Sequence, residues 1–103
     1  MSKEMIEALD ALEQEKGVKK AIVIDALEQA LASAYKRNYN QAQNVEVNFD
    51  QKKGDVHVFA VKKVVDQVYD SRLEVSLDDA LQVSRGYEIG DDIKFEVTPK
   101  SFG

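Results

Sequence analysis

Five consecutive residues, Tyr35-Lys36-Arg37-Asn38-Tyr39, place two adjacent cations between two aromatic rings in a chain that is acidic as a whole. Lysine and arginine bind phosphate oxygens through charge-assisted hydrogen bonds, and tyrosine faces add flat stacking surface, so this cluster has the composition of a nucleic-acid contact. A second explanation is ordinary helix electrostatics. Cations in the last turn of a helix are held by its partial negative charge, a contribution of ~0.3–1 kcal/mol each. The residue types leave both readings open. Lys19 and Lys20 stand at the start of the same helical pattern, so its exposed face is basic at both ends and could follow a sugar-phosphate backbone. Lys52-Lys53 and Lys62-Lys63 are weaker candidates, because turns and strand edges use lysine to stay soluble and unpaired.

The other groups able to do chemistry stand apart from one another. His57 is the only histidine, and no serine, cysteine or acidic residue lies in motif spacing with it, so no catalytic triad is assigned. Asp78-Asp79 and Asp91-Asp92 could hold a divalent cation, but the first pair opens a helix and the second follows a glycine turn, where capping and solvation explain them. The five glycines are dispersed and make no phosphate loop. The absence of cysteine excludes disulfides, thiol catalysis and thiolate metal sites, and it fits a reducing compartment. The expectation is a protein that is not an enzyme and uses neither metal nor cofactor.

A chain of 103 residues with 44% hydrophobic residues and a single proline is one small folded domain with room for one core. No run approaches the ~18 apolar residues of a membrane helix, and the first 16 residues carry acids where a signal peptide would carry a basic head, so the expected location is the cytoplasm with no membrane partner. The net charge of -5 opposes free nucleic-acid binding. Its distribution opposes it less. Residues 17–40 hold four basic residues against two acidic ones, and every other segment is net acidic.

The elements that must position these residues follow from periodicity. Ser2 can cap a first helix running through Lys16, with Met5, Leu9 and Leu12 at helical spacing, and Gly17 stops it. A second helix, from about Val18 to about Tyr39, completes a hairpin with Val23, Leu27, Ala30, Leu31 and Ala34 as its buried stripe. Ala26, Ala30 and Ala34 form a smooth ridge that another element could approach, and Tyr35 and Tyr39 stack one turn apart. From Asn44 the period changes to two. Val45, Val47 and Phe49 form one strand and Val56, Val58 and Ala60 the next, across a polar turn at 51–55. His57, Phe59 and Val61 give the second strand a partly apolar reverse face, which suits a central position. Leu73, Val75 and Leu77 make a third set, Ser76 and Asp79 cap a short helix through about Val83, and Ile93, Phe95 and Val97 make a fourth strand closed by Pro99. The fold class is α+β: an N-terminal helical hairpin (about 1–40), then a small mixed sheet of about four strands with one short helix (about 44–99). An elongated, two-part shape with a hinge at 38–44 is expected.

Four segments together carry a family resemblance. Ala34-Tyr35-Lys36-Arg37-Asn38 with Gln41-Ala42-Gln43-Asn44-Val45, Val64-Val65-Asp66 with Val68-Tyr69-Asp70, and Gly90-Asp91 with Thr98-Pro99-Lys100-Ser101-Phe102-Gly103 resemble the amino-terminal domain of the NusA family of bacterial transcription factors, in the version of the Bacillus relatives. The match covers residues 1–103 in order. In the family the chain continues past the position of Gly103 into a connecting helix, an OB-fold and two KH domains, which this sequence lacks.

The resemblance implies a binding function. Family members attach to RNA polymerase near the RNA exit channel, where this domain docks on the flap-tip helix of the β subunit and reaches the nascent RNA hairpin. They modulate pausing, termination and antitermination, with other Nus-type factors acting through the downstream domains. Lys36 and Arg37 match the positions at which the family meets the hairpin, and Lys19 and Lys20 are further RNA candidates from their place on the same helix. Met5, Ile6 and Leu9 on the first helix are expected to contribute an exposed apolar contact with the polymerase. The alternative is a protein–protein adaptor without direct RNA contact, its tyrosines and short helix forming a partner groove. A small hydrolase is a third reading, disfavoured by the lack of a partner for His57.

Overall fold

Gly17 takes φ +68°, a conformation that a side chain would strain, and the chain reverses there between α1 (Lys3–Lys16) and α2 (Lys20–Asn38). The computed structural model describes residues 3–39 and 42–102, apart from the side chain of Met5; Ser2, the expected first cap, lies outside them. α2 begins two residues later than its periodicity suggests, because 17–19 are spent on the turn. Lys19 gives α2 no side-chain cap. The Glu13 carboxylate accepts the Lys20 N–H instead at 3.3 Å, and the Lys20 ammonium pairs with Asp10 of α1. Three side chains thus fasten the turn end of the hairpin.

α2 buries Ile24 and Tyr35 fully, with Val23, Leu27, Leu31 and Ala32 packed around them. This stripe is rotated from the expected one. Ala26 and Ala30 face solvent, so the alanine ridge receives no other element. The reason is Tyr35: putting its ring in the core at i+4 from Leu31 and i+8 from Leu27 turns the ridge outward.

The sheet is built on β2 (Asp55–Val65), which is central as expected. β1 (Asn44–Asp50) pairs with it antiparallel from Asn44↔Val61 to Asp50↔Asp55, across a turn where Gly54 takes φ +72°. β3 (Glu74–Ser76) continues along the same side in parallel, and β4 (Asp92–Glu96) lies antiparallel on the other side. The short helix α3 (Leu77–Val83) starts at Ser76, whose hydroxyl accepts the Asp79 N–H. After Pro99 comes a 3-10 turn at Lys100–Phe102, absent from the sequence expectation.

One face of the sheet is packed and the other is open. Val47 and Phe49 of β1 and Val56 and Val58 of β2 join Leu9, Ile24 and Tyr35 in a single core, with Val97 and Phe102 against it. A second cluster, Val64, Ala80 and Ile93, sits under α3. The molecule is elongated, with extents of 53 × 28 × 22 Å. It is less divided than expected, because α2 packs directly on the sheet. Of the expected hinge, residues 40 and 41 lie outside the described residues, and the segments on either side are joined by a hydrogen bond from the Tyr35 hydroxyl to Gln43 Oε1 at 3.1 Å.

Candidate nucleic-acid interface

The last turn of α2 presents its side chains in different directions. Tyr35 points inward and is 6% exposed, and burial raises its phenol pKa, which keeps it neutral at physiological pH. Tyr39 is 56% exposed and stacks on Tyr35 with ring centroids 5.1 Å apart and planes 24° apart. The buried ring therefore holds the exposed one in place. Between them Lys36 is half-buried and Arg37 exposed, and among the described residues neither has an ion-pair partner. Two cations with no carboxylate against them among the described residues, beside a fixed aromatic face, can donate to phosphate oxygens without breaking an internal ion pair.

The C-terminal segment adds to this end of the helix. The Tyr39 hydroxyl lies 3.5 Å from Ser101 Oγ, and Phe102 packs into the main core. Exposed Lys100 therefore belongs to the same end of the molecule. Sequence reading missed it, because 61 positions separate it from Tyr39 and only the fold closes that distance.

Lys19 and Lys20 do not join the cluster. At ~1.5 Å per helical residue, Lys20 is ~24 Å from Lys36 along α2. Lys20 is also committed to Asp10, whose hydrogen bond raises the lysine pKa. Lys19 remains exposed at the hairpin turn. On α1, Leu9 is 4% exposed, which corrects the expectation that it is an accessible apolar residue: it is part of the core under α2. Ile6 is half-buried against the same core, and the side chain of Met5 lies outside the described residues. Of that strip, Leu9 is used by the core that holds α1 against α2 and the sheet.

His57 does have a partner, supplied by β4. Its Nδ1 lies 2.8 Å from Glu96 Oε2, and the Thr98 hydroxyl donates to the same carboxylate oxygen at 2.9 Å. The pair raises the His57 pKa and lowers that of Glu96. The carboxylate stands between imidazole and hydroxyl, so the histidine is not placed to activate Thr98 as a nucleophile. Of the aspartate pairs, Asp78-Asp79 opens α3, where the Asp79 N–H donates to the Ser76 hydroxyl, while Asp91 accepts the Glu88 N–H at 2.9 Å and Asp92 lies 3.8 Å from Lys63. Among the described residues no group of three or more potential ligands could hold a metal ion, and no helix is long and apolar enough to cross a membrane.

The fold has clear counterparts. A family model described as the NusA N-terminal domain matches residues 4–103. The chain is 54% identical over 103 residues to the transcription termination/antitermination protein NusA of Bacillus subtilis (strain 168), covering 100% of this chain and 28% of that protein. The protein of the same description from Halalkalibacterium halodurans is 52% identical over 103 residues, with 27% of its length covered. This chain thus spans little more than a quarter of these relatives. Among solved structures, the solution structure of the N-terminal domain of NusA from B. subtilis superimposes with a TM-score of 0.89, covering 100% of this chain and 83% of that one.

Proposed function

The chain belongs to the NusA N-terminal domain family, and from that premise we propose that it is a non-enzymatic transcription module of the cytoplasm that links RNA polymerase to the nascent transcript. One surface docks on the flap tip of the polymerase β subunit near the RNA exit channel. The end of α2 meets the RNA hairpin, through which the module modulates pausing, termination and antitermination. The observation that carries this reading is that Lys36 and Arg37, beside the stacked Tyr35–Tyr39 pair, have no ion-pair partner among the described residues.

An acidic protein can work on RNA in this way because docking comes first. Once the domain is held by the polymerase, the hairpin contact is intramolecular, with an effective concentration on the order of mM, so a weak phosphate contact suffices. Within a Debye length of ~8 Å the local cations outweigh the distant acids. On the polymerase side, apolar contact comes from Met5 and Ile6 of α1, while Leu9 serves the core. Arg37, Lys36 and Lys100 form the RNA side, and Lys19 extends the basic face toward the hairpin turn.

The test is a reconstituted transcription assay with bacterial RNA polymerase and the double variant Lys36→Ala/Arg37→Ala. Hairpin-stimulated pausing is expected to fall by roughly fivefold, equivalent to about 1 kcal/mol, while polymerase binding is retained. Undiminished pausing with the folded variant would overturn the RNA contact.

A further inference from the structure

One face of the Tyr39 ring is occupied and the other is not. Tyr35, buried in the core, backs the inner face with ring centroids 5.1 Å apart, while Tyr39 is 56% exposed and no other ring lies against it among the described residues. Three contacts fix the exposed ring: that stack, the bond from the Tyr39 N–H to the Tyr35 carbonyl at 2.9 Å, and the Ser101 hydroxyl 3.5 Å from the Tyr39 hydroxyl. Tyr35 is itself held by Gln43. The cations stand round this ring. Lys36 is one helical turn before Tyr39 and shares a flank with it, Arg37 follows and is exposed, and Lys100 precedes the serine that meets the Tyr39 hydroxyl.

Resting on the RNA contact proposed for this end of α2, we infer that Tyr39 is its specificity-determining residue: it selects an unpaired nucleotide, whose base stacks on the outer face of the ring. In an A-form stem each base lies between its neighbours, so its faces are closed to a protein ring; only a loop, bulge or end nucleotide can turn a face outward. A stem therefore offers this end of the molecule phosphates alone. Phosphates alone are a poor match, because Lys36, Arg37 and Lys100 stand in a chain of net charge -5. An unpaired nucleotide offers both parts. Its base covers ring surface that is otherwise wet, and the phosphates on its two sides meet the cations that flank the ring. Tyr35 and Ser101 already immobilise that ring, so stacking does not have to order it, and less of the contact is lost to entropy. The Tyr39 hydroxyl is turned to Ser101, which leaves the face of the ring as the part that meets RNA.

The test uses elongation complexes of bacterial RNA polymerase assembled on synthetic transcripts, and reads the ratio of pause lifetimes with and without the 103-residue chain. One transcript carries an ordinary hairpin; the other has the same stem with abasic loop nucleotides, which keep the phosphates and remove the bases. The abasic loop is expected to reduce the stimulation by about fivefold, toward the lower end of what one stacked base contributes. Tyr39→Leu should give the same loss on the ordinary loop and none further on the abasic one. Tyr39→Phe, which keeps the ring, should recover most of it. If Tyr39→Leu does not fold, the unmodified chain on the two transcripts decides the matter. Equal stimulation on both loops overturns the inference, as does a Tyr39→Leu loss just as large on the abasic loop, or a Tyr39→Phe variant as weak as Tyr39→Leu. Lys36→Ala/Arg37→Ala separates this outcome from failure of the RNA contact itself. A drop with that variant where the bases have no effect retains the contact and removes only the role of Tyr39, whereas no drop removes the contact and the inference together.

Discussion

Single charges in this domain divide into those the fold consumes and those it leaves free, and the distinction decides their roles. Lys20 is consumed by Asp10 and Glu13, whereas Lys36 and Arg37, at the other end of the same helix, have no ion-pair partner among the described residues. His57 is consumed by Glu96, with Asp50 and Asp55 adding weaker attraction. Its pKa is raised above the ordinary 6.5 first by the hydrogen bond to Glu96, and that of Glu96 is lowered below its ordinary 4.5 first by the hydrogen bond from His57. The signs set a pH window. The histidine's contribution is complete below its unfolded value and is lost as pH rises through the raised folded value; the glutamate's is complete above its unfolded value and is lost as pH falls through the lowered one. Stability from the pair is therefore greatest between about 4.5 and 6.5. Both groups are exposed to water, so the effect is small. Comparing denaturation midpoints of the native chain and His57→Gln across pH should give the largest gap near pH 5.5, narrowing on both sides; a gap that grows above pH 8 would contradict the pairing.

At the level of elements, the local signals are the ones that the sequence states openly. Ser76 followed by Asp79 reads as a helix start, and α3 begins there with the Asp79 N–H on the Ser76 hydroxyl at 3.1 Å. Ser76→Ala should cost about 1 kcal/mol, measured by urea denaturation, and Ser76→Asn much less, since asparagine caps equally well. If alanine is tolerated without loss, packing of Ala80 and Leu77 alone holds α3. The turns at Gly17 and Gly90 were legible for the same reason: both take positive φ, and glycine is the residue that allows it. What escaped was long-range. The burial of Tyr35 depends on the face it shares with Leu31 and on a sheet that has not yet formed at that point of the chain. The partner of His57 arrives from β4, and Lys100 comes to the Tyr39 end of α2 only because its neighbour Ser101 meets Tyr39 and Phe102 docks in the core. Leu9 was misjudged because periodicity identifies an apolar face without saying whether the chain itself or a partner covers it. Of the candidate site, sequence isolated the adjacent cations and their tyrosines; the fold separated them from Lys20 and supplied the third cation.

At the scale of the whole molecule, the question is whether the helical hairpin and the sheet behave as one unit, since the proposed bridge needs the RNA-facing end of α2 held rigidly. The elongated outline suggests two parts, but the main core takes Leu9 from α1, Ile24 and Tyr35 from α2, Val47 and Phe49 from β1 and Val56 and Val58 from β2. No subset of these can separate without exposing the others to water. Cooperativity follows from that sharing. Val58 is 0% exposed, and Val58→Ala removes two methyl groups from the sheet side of the core, a loss of about 2 kcal/mol when transfer and cavity contributions are combined. The far-ultraviolet helical signal arises mostly from α1 and α2, while NMR methyl signals of Val47 and Val64 report the sheet. Both should move to a lower denaturant midpoint together in the variant. A helical transition that keeps its original midpoint while the sheet signals shift would mean that the two parts melt separately, and that the basic end of α2 is free to move relative to the surface proposed to hold the polymerase.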